Sequence, residues 1–304
     1  MNEPSSATEG VQGGVHGGAG DVIGVVGAGT MGTGIAQCLA EAGHRVVVVD
    51  PGEQALATAP ARLRDGIRLA RMFREQPAAV PMDAALQAVT WTRRTQDLAD
   101  ARFVLECAPE RIPLKEKVFR ELDDVCGADA VFATVTSAIP VERLAAHTGR
   151  PRQVLGMHFM NPAPLKEAVE VVRGPRTADE TLDTALALLA GIGKTGIVVS
   201  DAPGFVSNRV LMLTVNEAAT VVEQGTADAA TVDRVFQECF GHTMGPLATG
   251  DLIGLDTIVD TLEVLLECTG DQRFVPCGLL RGMVAEGRLG RKSGGGFHRY
   301  GSPM

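Results

Sequence analysis

No uninterrupted apolar run in this 304-residue chain reaches the ~18 residues of a membrane-spanning helix. With 45% hydrophobic residues, it reads instead as a soluble globular protein with a substantial core, long enough to split into two domains. Positive charge is in short supply: 28 basic residues stand against 37 acidic ones, for a formal charge of −9. That speaks against a broad nucleic-acid or anionic-membrane surface, so neither partner is expected. Cysteine is sparse and scattered, at Cys38, Cys107, Cys126, Cys239, Cys268 and Cys277, with no CxxC and no paired spacing. Neither a disulfide framework nor a metal site is indicated, and reduced thiols in a cytoplasmic protein are expected. The opening segment, MNEPSSATEGVQGGVHGGAG, lacks the apolar core of a signal peptide and is read as a disordered tail over 1–20. There is no internal repeat of solenoid type.

What is present is concentrated in DVIGVVGAGTMGTGIAQCLAEAGHRVVVVD, Asp21 to Asp50. An apolar run over Val22 to Val26 leads into Gly27-Ala-Gly29-Thr30-Met31-Gly32. Met31, Ile35, Leu39 and Ala42 then recur at helical spacing, Gly43 closes the helix, and Val46 to Val49 form a second buried strand. In such a βαβ unit Gly27 makes the tight turn, Gly29 lets the backbone approach a pyrophosphate, and Gly32 lets the helix pack close to the strand. The helix N-terminus, with its free N–H groups and positive dipole end, suits the anion. Asp50 ends the second strand, where a carboxylate accepts hydrogen bonds from a ribose 2′-OH and repels a 2′-phosphate. A dinucleotide site for NAD rather than NADP is expected.

After Asp50 a long helical region places Arg64, Arg68 and Arg71 on one face. That face is either solvated or a cradle for the phosphates of an acyl carrier. Further strands are expected at Phe103 to Cys107, Ala130 to Thr136, Gln153 to Phe159, Ala168 to Val172 and Gly196 to Val199, with a helix from Leu114 to Leu122. Strands alternating with helices argue for an α/β fold, a doubly wound and mostly parallel Rossmann-type sheet over 21–200. From Asp201 the pattern turns helical, with a long helix closed by Gly225 and others at Thr231 to Phe240, Ile253 to Cys268 and Cys277 to Glu286. An all-helical C-terminal domain over 201–304 is expected.

Three motifs carry chemistry. Ser137 follows one strand, His158 ends another, and Glu170 sits inside Ala168-Val-Glu-Val-Val172. In an open α/β sheet, ligands bind at the carboxyl ends of strands, where Ser137 and His158 fall. A carboxylate within a valine strand is costly unless paired, and His158 is the candidate partner for Glu170. Beside a nicotinamide, a neutral imidazole can remove a hydroxyl proton as the carbon is oxidised, while Glu170 holds its tautomer. Ser137 and Asn208 would hydrogen-bond the reacting oxygen. Blander roles stand beside these: Ser137 as a helix cap, Asn208 as an early helix residue bonding local backbone, Glu110 as an acid in a first helical turn.

At these residues the chain resembles the L-3-hydroxyacyl-CoA dehydrogenases, of the 3-hydroxybutyryl-CoA dehydrogenase type, from about Asp21 to Tyr300. The resemblance rests on the glycine motif through Ala36, on Glu110 and Ser137, on His158-Phe-Met-Asn161-Pro162 and Glu170, and on Pro203-Gly204-Phe-Val-Ser-Asn208-Arg209. Met244-Gly245-Pro246, Gly254-Leu-Asp256 and Gly290-Arg-Lys-Ser-Gly-Gly-Gly296-Phe297 extend it. It implies His158 as base with Glu170 as its partner, and Ser137 and Asn208 on the substrate oxygen. It further implies a cofactor site of Gly27, Gly29, Thr30, Met31, Gly32, Asp50, Glu110, Lys115, Ser137 and Asn161, an acyl-CoA or acyl-carrier thioester substrate, and a homodimer through the helical domain. The family usually has Asn-Thr-Ser-Ser where Val135-Thr-Ser137-Ala138 stands here, and a second aromatic in place of Met160. Relatives act on a glyceryl or hydroxyacyl group of an acyl carrier protein or on a free sugar acid, so these substrates stay open.

Rival readings find less in the sequence. A Ser-His-Glu hydrolase would want a GxSxG elbow around Ser137 and has no need of Asp50. The β-hydroxyacid dehydrogenases use a lysine with an asparagine four residues later, and Lys194 is followed there by Val198. A non-catalytic NAD-binding protein of lens lambda-crystallin type would not require Ser137, His158, Glu170 and Asn208 together.

Overall fold

The computed structural model of the chain describes residues 21–73 and 79–301. The expected N-terminal tail lies outside them. Strand β1 (Val22–Val26), helix α1 (Thr30–Glu41) and strand β2 (Arg45–Val49) build the opening unit. β1 and β2 pair in parallel from Val22 on Arg45 to Val26 on Val49. Valine dominates both strands because β-branched side chains pack well on a sheet covered from both faces.

Helices α2 (Glu53–Phe73) and α3 (Met82–Gln87) lead to β3 (Val89–Thr92), a short edge strand that the sequence reading did not anticipate. Of its residues Val-Thr-Trp-Thr only Val89 is buried, so their apolar pattern is weak, and pairing with β2 is what makes them a strand. Then come β4 (Ala101–Glu106), α4 (Ile112–Val125), β5 (Val131–Thr134), α5 (Val141–Ala145), β6 (Val154–Phe159), β7 (Ala168–Arg173), α6 (Asp179–Gly191) and β8 (Thr195–Ser200).

These strands form one sheet in the order β3-β2-β1-β4-β5-β6-β7-β8. Every pairing is parallel except β6 with β7, which is antiparallel. The order reverses at β1, so a crevice opens at the carboxyl ends of β1 and β4, where doubly wound sheets bind ligands. One face is covered through Leu39 of α1, Leu63 and Ile67 of α2 and Leu189 of α6. Phe119 and Leu122 of α4, with Leu144 of α5, cover the other against Phe132. Each such buried leucine or phenylalanine contributes about 1.5–3 kcal/mol.

The rest is helical: α7 (Ser207–Glu223), α8 (Ala229–Phe240), α9 (Pro246–Ile253), α10 (Leu255–Thr269) and α11 (Gly278–Ala285). Met212, Val215, Leu262, Leu265, Phe274 and Leu280 form their shared core. The stretch expected as one helix from Ile253 is broken at Gly254, whose φ of 106° belongs to no right-handed helix and separates α9 from α10. Among the described residues no helix is long and apolar enough to cross a membrane.

The turn between β1 and α1 depends on close backbone approach. A Cβ added at Gly32 would overlap the Gly27 carbonyl oxygen. Gly32→Ala is therefore expected to push α1 off β1 and lower stability by about 1–3 kcal/mol, read as a lower thermal midpoint. An unchanged midpoint would contradict that packing.

Candidate active site

Five strand ends at one edge of the sheet hold the sequence-predicted residues. Gly27 to Gly32 follow β1, Asp50 follows β2, Glu110 follows β4, Ser137 follows β5 and His158 lies near the end of β6. Parallel pairing puts all five carboxyl ends on the same side.

The glycine turn is tied to its neighbours through backbone: Gly27 N–H donates to Val49 at 2.7 Å, and Cys107 N–H donates to Val26 at 2.7 Å. Gly29 is the N-cap of α1 and offers no side-chain cap, so the first-turn amides keep their donor capacity. A Cβ built on Gly29 meets nothing within 4 Å, and no acid stands in that first turn. Asp50 is more than a free carboxylate at a strand end. Its Oδ2 accepts from Ala28 N–H at 2.7 Å and its Oδ1 from Gly52 N–H at 2.7 Å. Both oxygens are thereby aimed, and each keeps a lone pair for a ribose hydroxyl. Open space over the turn, uncapped amides and an oriented acid fit a dinucleotide diphosphate and ribose.

Thr30 and Asn161 line one cleft between α1, α2 and residues 161–165. Met31 is half-buried and packs against the core below. Arg62, a residue without a role in the sequence reading, also lines this cleft and donates to the Ala28 carbonyl at 2.9 Å. The arginines expected to share a face do not act as a set. Arg71 turns inward, donating to Glu41 at 3.4 Å and to the Val80 carbonyl at 3.0 Å, while Arg68 pairs with Asp65 at the surface and Arg64 is exposed.

Behind the crevice lies a buried ion pair. Lys115 is 1% exposed and Glu106 not at all. The ammonium donates to both Glu106 oxygens and to the Ala108 carbonyl, each at 2.9 Å, and Thr134 donates to Glu106 at 2.9 Å. All three ammonium hydrogens are used, which satisfies the charge that burial would otherwise penalise. Lys115 thus stiffens the connection Cys107 to Glu110 from below and lies 3.7 Å from Glu110. Glu110 precedes α4 and reaches across to β5, where one oxygen accepts from the Thr136 hydroxyl and from the Ser137 and Ala138 amides at 3.0 and 3.1 Å.

Ser137 does not cap α5. Asp201 does, accepting from the Val141 and Glu142 amides at 2.9 and 2.8 Å. Asn208, the second residue of α7, donates to the Ser137 carbonyl at 2.6 Å, joining residues 71 apart in sequence. Val135 and Ala138, two of the three departures from the family pattern, are buried in apolar clusters. Lys194 holds the turn beyond Asn161, donating to the Ala163 and Lys166 carbonyls at 2.7 and 2.6 Å.

The imidazole and the carboxylate meet because β6 and β7 are antiparallel, with His158 directly opposite Glu170 in the register. His158 Nδ1 lies 3.0 Å from Glu170 Oε2, and both residues are buried. The Nδ1 proton is assigned from this bond, leaving Nε2 as the basic nitrogen. Glu170 has more partners than the sequence suggests. Its Oε1 accepts from the Val206 and Ser207 amides at 2.8 and 3.2 Å, capping α7 from another strand, and Oε2 also accepts from the Ser207 hydroxyl at 2.6 Å. Phe205, at φ 52°, turns the chain into α7 and stands with its ring centroid 5.9 Å from that of His158. Burial alone would push the Glu170 carboxyl up, but the His158, Ser207 and backbone donors outweigh it and hold it at about 2.

A reversed sheet order with an uncapped, glycine-lined helix end and a strand-end aspartate defines a dinucleotide-binding protein of the Rossmann class. Family models sharpen this: that of the 3-hydroxyacyl-CoA dehydrogenase NAD binding domain matches residues 22–202, and that of the 3-hydroxyacyl-CoA dehydrogenase C-terminal domain matches residues 204–300. The chain belongs to the 3-hydroxyacyl-CoA dehydrogenase family. A probable 3-hydroxybutyryl-CoA dehydrogenase of Deinococcus radiodurans is 40% identical over 278 residues, covering 91% of this chain and 99% of that protein. The 3-hydroxybutyryl-CoA dehydrogenase of Bradyrhizobium diazoefficiens is 39% identical over 279 residues, covering 91% and 94%. The crystal structure of an (S)-3-hydroxybutyryl-CoA dehydrogenase from Ralstonia eutropha superposes with a TM-score of 0.84 at 38% identity, covering 92% of this chain and 99% of that one.

Glu170 makes stability depend on acid. Its folded carboxyl titrates at about 2 against an ordinary 4.5, so its contribution is complete above 4.5 and is lost as pH falls toward 2. Over that window the wild type is expected to lose unfolding free energy more steeply than Glu170→Gln. Parallel slopes in urea titrations would contradict the assignment.

Proposed function

We propose that the protein oxidises a 3-hydroxyacyl thioester of the 3-hydroxybutyryl-CoA kind to the 3-oxoacyl thioester, reversibly and with NAD. The observation that carries this reading is the His158–Glu170 pair at the carboxyl edge of the sheet that holds the glycine turn. When bound, NAD supplies the acceptor for the hydride that leaves the substrate carbinol carbon. Everything else is the work of side chains. His158 Nε2 removes the hydroxyl proton, and Glu170 on Nδ1 holds the tautomer and stabilises the positive ring that results. In the reverse direction the same nitrogen returns the proton. Ser137 and Asn208, linked through the Ser137 carbonyl, bond the reacting oxygen and stabilise the negative charge that grows on it.

The cofactor rests on Gly27, Gly29, Thr30, Met31 and Gly32, with Asp50 on the adenosine ribose and Glu110 and Ser137 on the opposite side of the crevice. Asn161 closes the cleft beside Thr30, and Lys115 acts through Glu110. The boundary between the NAD-binding part and the helical part falls near Asp201, after β8. Homodimerisation through the helical part is supported by apolar side chains left in water there, among them Val210 at 60% and Phe240 at 67% exposure. A cytoplasmic location is consistent with six cysteines among which no disulfide forms.

Two variants test the roles directly. His158→Gln is expected to lower kcat about 10²–10⁴-fold with NADH affinity little changed, measured by NADH absorbance with acetoacetyl-CoA and by NADH titration. Near-wild-type turnover would remove His158 from the mechanism. For Asp50→Ala, the preference for NAD over NADP is expected to disappear; unchanged discrimination would contradict the ribose contact.

A further inference from the structure

Ser207 opens α7, yet its hydroxyl caps nothing in its own helix. Its Oγ instead donates to Glu170 Oε2 at 2.6 Å, the same oxygen that receives His158 Nδ1 at 3.0 Å, and it lies 3.3 Å from Nδ1 itself. We propose that Ser207 is a positioning residue of the proton-transfer unit, making His158–Glu170 a three-member arrangement closed by the helical part of the chain. The inference rests on the reading of His158 as the base.

One hydroxyl does two things at this place. Its hydrogen occupies a lone pair of Oε2, so the carboxylate stays a hydrogen-bond acceptor and is less able to pull the Nδ1 proton off the charged ring. Its oxygen faces Nδ1–H at 3.3 Å, giving that hydrogen a second acceptor and favouring the tautomer with Nε2 free. The surroundings supply no substitute. β6 contributes His158, β7 contributes Glu170, the turn before α7 contributes the uncharged Phe205 ring, and no lysine or arginine among the described residues pairs with Glu170. Because Ser207 belongs to α7 while its partners belong to the sheet, the arrangement is complete only when the two parts of the chain are in register.

The test uses Ser207→Val and Ser207→Thr in the full chain, since the two side chains match in volume and differ in the hydroxyl. Histidine-labelled protein gives the ring ¹⁵N shifts of His158, identified by the signal that disappears in His158→Gln. In Ser207→Thr these shifts and the pH profile of kcat/KM for 3-hydroxybutyryl-CoA oxidation are expected to match wild type. In Ser207→Val the ring signals are expected to leave their wild-type positions, and the acid limb of the profile to move to higher pH, because Oε2 then presents its whole charge to Nδ1–H. NADH affinity should stay unchanged. Indistinguishable Val and Thr proteins, or a limb and ring signal unmoved in Ser207→Val, would overturn the proposal. Should the valine protein fail to fold, Ser207→Ala is judged by the same two readouts. Wild-type protein without turnover on any 3-hydroxyacyl thioester would sink the proposed function, while the ring signals would still decide whether Ser207 positions the His158–Glu170 pair.

Discussion

A single carboxylate joins the two halves of this molecule. Glu170 takes the His158 ring and the Ser207 hydroxyl on one oxygen and the first amides of α7 on the other. It is at once the partner of the candidate base and the cap of the longest helix beyond the sheet. Such a group has little freedom: removing one member of a buried, hydrogen-bonded charge arrangement typically costs about 3–5 kcal/mol because the others are left uncompensated. The geometry around the imidazole is therefore enforced by the same contacts that seat α7, and chemistry and assembly share one constraint.

The opposite side of the crevice is organised by the same means, with different atoms. Glu106 and Lys115 are both enclosed, and their mutual satisfaction fixes the connection that carries Glu110. Glu110 in turn is pinned to the amides after β5, and Asn208 reaches the Ser137 carbonyl from α7. Asp50 is held by the glycine turn whose ligand it would share. Polar groups that face a ligand are thus already oriented by backbone partners, so little reorganisation is required when a substrate charge develops.

Much of the fold was legible because it depends on local pattern. Glycine spacing, a helical stripe and two valine strands specify the β1-α1-β2 unit over thirty residues, and the structure has it within a residue or two at each end. Strand β3 escaped because Val-Thr-Trp-Thr is short and half-exposed, with no pattern of its own. The break at Gly254 escaped because Leu255 continues the apolar stripe, and only a backbone angle records the interruption. Among site residues, the pairing of His158 with Glu170 could be inferred from the cost of an acid in a valine strand. The Ser207 contact could not, since a serine at a helix start normally signals a local cap.

The sequence by itself determined the chemistry available here: a diphosphate-sized glycine turn, an acid at the end of the second strand, one imidazole and one strand-borne carboxylate. Those features are written in residue type and short-range spacing, where steric and hydrogen-bonding preferences act directly. Tertiary structure alone decided how they meet. The antiparallel turn of β7 sets His158 against Glu170, the αL kink at Phe205 delivers the amides and hydroxyl of 206–207 to that carboxylate, and a buried lysine steadies the connection opposite. Each joins residues distant in the chain, and no local preference encodes a contact whose energy exists only once both partners have left water.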